Sequence, residues 1–161
     1  MGITEKAKLK EVFYLFLREL QDVDKEIILF WDKNMNKISR WYLEKKQDTD
    51  IIISASPRFL LEEPCRRLGI GCLVASDVDK KSGKYLSANC YGKEKAQRLE
   101  RETEQIELEN FYSDSLSDEP LAKLAQHAYF VKKSKIVPWE EYMAKKRRST
   151  LFMMLYGFIE S

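Results

Sequence analysis

A parallel α/β sheet behind a small helical cap is the fold this sequence predicts, and two observations carry it. Up to about residue 47 the apolar residues recur at helical spacing. From Asp50 onward, short β-branched or apolar runs alternate with helix-like segments. Strand, helix, strand, helix, strand, helix, strand is the order of a parallel sheet joined by right-handed crossovers.

Leu9, Val12, Phe13, Phe16, Leu17 and Leu20 share one helical face, with Lys8, Lys10, Glu11 and Arg18 opposite. Asp24 is placed to cap a second helix carrying Ile27, Ile28, Trp31, Met35, Ile38, Trp41 and Tyr42. Neither Pro nor Gly interrupts these stretches, so two amphipathic helices paired as a hairpin are expected. The run Ile51-Ile52-Ile53 then reads as a strand buried on both faces. In Ser54-Ala55-Ser56-Pro57, Ser56 is positioned to cap a helix and Pro57 suits its first position. That helix should run to Leu68, end at Gly69, and kink or restart near Pro64.

Gly71 to Ser76 reads as the next strand, and Lys80-Lys81-Ser82-Gly83 as a hairpin turn before Tyr85 and Leu86. A charged helix is expected over Lys93 to Glu104, a strand ending at Phe111-Tyr112, and a helix from about Asp118 to Gln126. Ala128 to Val131 reads as the last strand. Beyond Trp139, the basic cluster Lys145-Lys146-Arg147-Arg148 precedes the apolar string LFMMLYGFI. A helix packed on the body or on a partner is expected there, with a membrane-surface segment as the alternative. The chain thus divides into a helical cap (1–47), an α/β core (48–138) and a C-terminal helical extension (139–161).

The bulk numbers narrow the class. In 161 residues, 44% hydrophobic and 34% charged residues describe a chain that can bury a core rather than a disordered one. A net charge of +2 gives no global attraction for nucleic acid. Cys65, Cys72 and Cys90 are odd in number and form no C-x-x-C pair, which argues against a zinc site or a disulfide framework and fits a reducing cytoplasm. Met1 leads straight into charged, helix-forming residues, so no signal peptide is expected. The apolar run 151–159 is too short to span a bilayer.

In an open parallel sheet, ligands bind at the carboxyl ends of strands. Three such positions carry reactive groups. Ser54 and Ser56 follow the first strand and precede a helix, whose first amides attract phosphate. Asp114 and Asp118 follow the Phe111-Tyr112 strand, and Lys95 opens the helix between. Hydroxyls, an ammonium and paired carboxylates suit a phosphate held with Mg²⁺. His127, the single histidine, is expected to be structural, and Arg58 to be solvated surface rather than a ligand contact.

The strings I-I-I-S-A-S-P, G-K-E-K-A-Q-R-L and F-Y-S-D-S-L-S-D resemble motifs II, III and IV of the haloacid dehalogenase superfamily, nearest its phosphoserine-phosphatase-like branch. The resemblance runs over about residues 1–138. It implies a Mg²⁺-dependent phosphatase acting through an aspartyl-phosphate on a small phosphorylated substrate. Ser54, with Ala55 and Ser56, would bind the phosphoryl group, and Lys95 (Lys93 in the alternative register) would stabilise its charge. Asp114 would bind Mg²⁺, and Asp118 would support the metal or position Lys95. The helices of residues 4–45 would be the cap.

The same resemblance implies a central strand ending in D-x-D, which supplies the nucleophile and the general acid/base. No such strand precedes the cap here. Asp22-Val23-Asp24 sits between helices and reads as a turn and cap; Asp77-Val78-Asp79 follows a strand and is the better look-alike. The expectation is therefore a truncated sheet without its first, central strand, inactive as this chain, with a homodimer covering the exposed strand edges. A non-catalytic phosphate- or Mg²⁺-binding regulatory protein is the alternative. A third possibility is an interaction module built on the C-terminal segment.

Overall fold

The computed structural model describes residues 5–103, 107–133 and 135–157, with side chains over 8–103, 107–133 and 135–148. The chain forms two compact units, Met1–Glu104 and Gln105–Ser161.

The first unit opens with three α-helices where the periodicity predicts two: α1 (Glu5–Phe13), α2 (Val23–Asn34) and α3 (Arg40–Lys45). A six-residue 3-10 helix at Tyr14–Glu19 and a single 3-10 turn at Met35–Lys37 separate them. The expected second helix breaks at Asn34 without Pro or Gly. The Asn34 amide donates to the Phe30 carbonyl at 2.6 Å, the local competition with the backbone that disfavours Asn inside helices. Asp22, not Asp24, caps α2 by accepting from the Lys25 N–H at 3.0 Å. Asp24 lies in the first turn and pairs with Lys80 at 2.5 Å.

Strand β1 (Ile51–Pro57) runs parallel to β2 (Cys72–Ser76), with Ile51 opposite Cys72 and Ser54 opposite Ala75. The register slips between Ser54 and Pro57. Ser56 therefore lies in the strand and caps nothing, contrary to the sequence expectation. Proline holds the residue before it in the extended region, so the strand continues to Pro57, the cap of α4 (Arg58–Leu68).

Helix α4 passes through Pro64 without restarting. Pro64 has no N–H for the Leu60 carbonyl four residues back. The Trp31 indole N–H donates to that carbonyl instead, at 2.7 Å. This bond and the Arg67–Asp32 ion pair at 2.8 Å tie α2 to α4. Gly69, at φ 72°, ends α4 in the left-handed conformation, and the Ile70 N–H reaches back to the Cys65 carbonyl at 2.9 Å.

After β2 the chain turns over Lys80–Gly83 and returns through the antiparallel bridge between Val78 and Tyr85. Two contacts dock the N-terminal helices on this turn. Glu11 accepts from the Tyr85 N–H at 2.9 Å. Gly83, at φ 72°, lies so close to Tyr14 that a Cβ there would stand 2.7 Å from the Tyr14 carbonyl oxygen. Helix α5 (Lys93–Glu102) then packs on β1 and β2.

In the second unit β3 (Leu108–Ser113) pairs in parallel with β4 (Ala125–Lys132). Strand β5 (Lys135–Pro138), absent from the sequence expectation, adds antiparallel to β4. The helix expected from Asp118 to Gln126 is reduced to a 3-10 turn (Leu116–Asp118) and the four-residue α6 (Glu119–Ala122). Leu121 and Ala122 are buried, whereas residues from Ala125 on gain ladder bonds with β3, and the ladder takes them. Helix α7 (Trp139–Gly157) follows β5 directly. Trp139 is buried with Ala122 and Phe130, and the Tyr142 ring stacks on Phe130 at 3.7 Å. The start of the C-terminal segment is thus a helix packed on its own unit; the apolar string from Leu151, and with it the partner or membrane reading, lies outside the described side chains.

Both sheets contain a parallel pair. Among the described residues β1 has one partner, β2, and β3 has one partner, β4. No described helix is long and apolar enough to cross a membrane.

Candidate functional site

The residues singled out in the sequence fall into two groups, one in each unit. In the first, Ser54, Ala55 and Ser56 form the irregular end of β1. The Ser54 hydroxyl accepts from the Ser56 N–H at 3.1 Å, closing a tight polar loop. Beneath it, the fully buried Ser76 hydroxyl lies 3.3 Å from the Ala55 carbonyl oxygen and accepts from the Cys90 N–H at 2.9 Å.

Lys95 stands in the first turn of α5 and is 9% exposed. Lys93 is exposed, so Lys95 is the lysine the helix turns toward the sheet. Gly92, at φ 59°, makes the sharp entry into this helix. Cys90 is fully buried, and burial raises its thiol to about 11, which leaves it a packed apolar group rather than a nucleophile.

Sequence reasoning missed Lys10. From α1 its ammonium donates to the Ala55 carbonyl at 3.0 Å. Burial holds its pKa below the ordinary lysine value, and the positive charge of Lys95 lowers it further. Lys10 thus reaches the Ser54–Ser56 loop, and Lys95 is near enough for its charge to act on Lys10. The only sequence signal was a lysine on the polar face of the first helix, which many solvated lysines share.

The Asp77 look-alike is occupied. Its carboxylate accepts from Arg58 Nε at 3.0 Å, Arg98 Nη1 at 2.8 Å and the Ser87 hydroxyl at 3.0 Å. Burial pushes the Asp77 pKa up, but these donors outweigh it and hold the carboxyl below the ordinary aspartate range. Arg98 is 2% exposed and is the hub of this clamp. Its guanidinium also reaches the Ala75 and Ala88 carbonyls at 2.9 and 2.7 Å, and Glu102 at 3.2 Å. Arg58 completes the clamp through Glu102 at 2.8 Å and the Leu73 carbonyl at 2.6 Å. The expectation of solvated surface for Arg58 is therefore corrected: it is structural.

Asp22 is the cap and Asp24 an ion-pair partner of Lys80; a cap was expected in this string, but at Asp24. A third such string, Asp48-Thr49-Asp50, lies at the amino end of β1, opposite the end that carries Ser54. Asp50 there accepts from the Gln47 N–H at 3.1 Å.

In the second unit Asp114 and Asp118 occupy the turn after β3. Asp118 is 4% exposed and accepts from the Ser113 hydroxyl at 2.8 Å; Asp114 is exposed. Among the described residues no cluster of three or more Asp, Glu, His or Cys side chains could hold a metal ion. Two hard carboxylates fit Mg²⁺, which is commonly held by one or two carboxylates and completed by phosphate and water. They do not make a closed protein cage. His127 is an exposed residue of β4, opposite Asn110.

A family model described as haloacid dehalogenase-like hydrolase matches residues 2–123. Neither the curated proteins nor the solved structures gave a match.

Proposed function

Because the chain belongs to the haloacid dehalogenase-like hydrolase family, we propose that it is a phosphate-handling domain of the phosphoserine-phosphatase-like kind, binding small phosphomonoesters with Mg²⁺. Ser54 and Ser56, with the Ala55 backbone, would hold the phosphoryl oxygens, and Lys95 would neutralise their charge. Asp114 and Asp118, in the second unit, would be the Mg²⁺ ligands, and the ion would supply Lewis-acid chemistry when bound. The observation that carries this reading is the nearly buried Lys95, in the first turn of a helix packed on β1, the strand that ends in the serine loop.

We further propose that this 161-residue polypeptide binds phosphomonoesters without turning them over. Displacement at phosphorus needs a free carboxylate at the carboxyl end of a strand. Asp77 follows a strand but is engaged by two guanidiniums and a hydroxyl. An aryl phosphate with Mg²⁺ is expected to be hydrolysed at the background rate. Inorganic phosphate should bind by calorimetry, more tightly with Mg²⁺, and lose binding in Lys95→Met. Robust turnover abolished by Asp77→Asn would overturn the inactive reading, and absence of phosphate binding would overturn the whole.

The one-sided pairing of β1 and of β3 supports a homodimer in which a second copy covers a strand edge. Light scattering should then give twice the chain mass; a monomer at every concentration tested would remove this part.

A further inference from the structure

We propose that a second copy of this chain covers the outward face of α1, joining two caps through the stripe Leu9, Val12, Phe13 and Phe16. The inference is independent of the phosphate-binding reading, and it uses none of the strand-edge residues invoked above for a dimer.

An ordinary surface helix buries its apolar face and leaves its charged face in water. Helix α1 is turned the other way. Lys10 donates to the Ala55 carbonyl at 3.0 Å, and Glu11 accepts from the Tyr85 N–H at 2.9 Å. Tyr14 lies against Gly83, and Leu17 is the buried apolar residue of the 3-10 helix that follows. These contacts fix the roll of the helix, because turning the stripe inward would break both hydrogen bonds.

The outward face carries the stripe. Leu9, Val12, Phe13 and Phe16 recur at the three- and four-residue spacing of one helical face and are 55–77% exposed. Residues three apart eclipse in a 3-10 helix, so Phe16 stays in line with Phe13 where the helix type changes. Aromatic side chains carry roughly 150–250 Å² each, so Phe13 and Phe16 alone leave roughly 250 Å² of apolar surface in water. Adding Leu9 and Val12, with Ile28 and Phe30 exposed on α2, brings the cap to on the order of 700 Å². That is close to the roughly 800 Å² per partner of a stable interface. Single exposed leucines need no partner, whereas apolar surface of this extent does.

The occupant that fits is another copy. A membrane-surface helix keeps a basic polar face at the headgroups, whereas the polar face of α1 is turned into the protein. A two-fold pair of identical stripes covers both at once, each large side chain meeting others of its kind.

Light scattering of the full chain from about 1 to 100 µM should show a dimer that dissociates on dilution. In Phe13→Glu/Phe16→Glu the mass should fall to that of one chain across this range, since carboxylates would have to enter an apolar interface. Its circular dichroism spectrum should stay that of the parent, because both residues are exposed in the single chain. Phe13→Gln is the milder variant, and its dimer dissociation constant should rise about tenfold, the loss of one aromatic anchor. Hydrogen exchange in residues 9–16 of the parent should slow as concentration rises, and should not in the double variant.

A parent that is monomeric throughout this range would overturn the proposal. Binding of that monomer to phosphatidylcholine–phosphatidylglycerol vesicles would assign the stripe to a lipid surface instead. A dimer that persists in both variants with an unchanged dissociation constant would also overturn it, and would leave the interface to the strand edges. Phosphate binding by the parent is a separate measurement that none of these outcomes decides.

Discussion

Replacing Arg98 with methionine is expected to destabilise the first unit by about 3–5 kcal/mol, the cost of breaking a buried ion pair from one side. Measured by urea denaturation, that is a large share of the 5–15 kcal/mol that typically holds a domain folded. Arg98 is 2% exposed, and its guanidinium reaches the Ala75 and Ala88 carbonyls, the Ser87 hydroxyl and three carboxylates. Methionine fills most of the volume but leaves those carbonyls without a donor. The variant should also respond differently to acid.

Asp77 is held below its unfolded pKa, so its contribution is present above about pH 4. That contribution is lost as pH falls through the folded-state value. With Arg98 gone the shift shrinks, and the stability of the variant should fall less steeply below pH 4 than that of the parent. Glu63, held down to about 2 by its hydrogen bonds to Arg66 and Arg67, contributes the same acid limb to both. A loss below 1 kcal/mol, or parallel acid limbs, would show that the clamp carries no structural load.

Gly83→Val is expected to release the N-terminal helices from the turn after β2. Two costs add. A left-handed φ of 72° is strained for any side chain, by about 1–2 kcal/mol, and most of all for a β-branched one. The new Cβ would also stand 2.7 Å from the Tyr14 carbonyl oxygen and 2.8 Å from the Tyr14 Cβ, an overpacking cost of about 1–3 kcal/mol. Backbone cannot swing aside as a side-chain tip can, so a total near 3 kcal/mol should fall on the docking of α1 and the 3-10 helix after it. Hydrogen exchange should quicken in residues 8–20 while the β1–β2 ladder stays protected. Uniform loss of protection across the unit would mean that the helices and the sheet unfold as one body.

Much of this fold was legible in the sequence because local chemistry decides it. The β-branched run at 51–53 commits that stretch to a strand whatever surrounds it, and Gly69 ends α4 because a left-handed cap suits glycine. Ser54 lies in the irregular end of β1, Lys95 in the first turn of α5, and Asp114 and Asp118 in the turn after β3.

What local patterns left open depends on partners distant in sequence. Ser56 reads as a helix cap until the strand is seen to continue to Pro57. Pro64 reads as a break until Trp31, 33 residues earlier, supplies the bond that proline withholds. The segment 125–132 reads as helix followed by strand until β3 offers it a ladder.

Asp77 and the phosphate loop show the same division. The sequence determines that an aspartate follows the second strand and that serines follow the first. Only the tertiary structure decides that Arg58 and Arg98 close on the aspartate while Lys10 reaches the serine loop. The physical reason is one of range: propensity and capping act over a few residues along the chain. Charge pairing acts over a few ångströms in space, and the fold alone determines which charges those are.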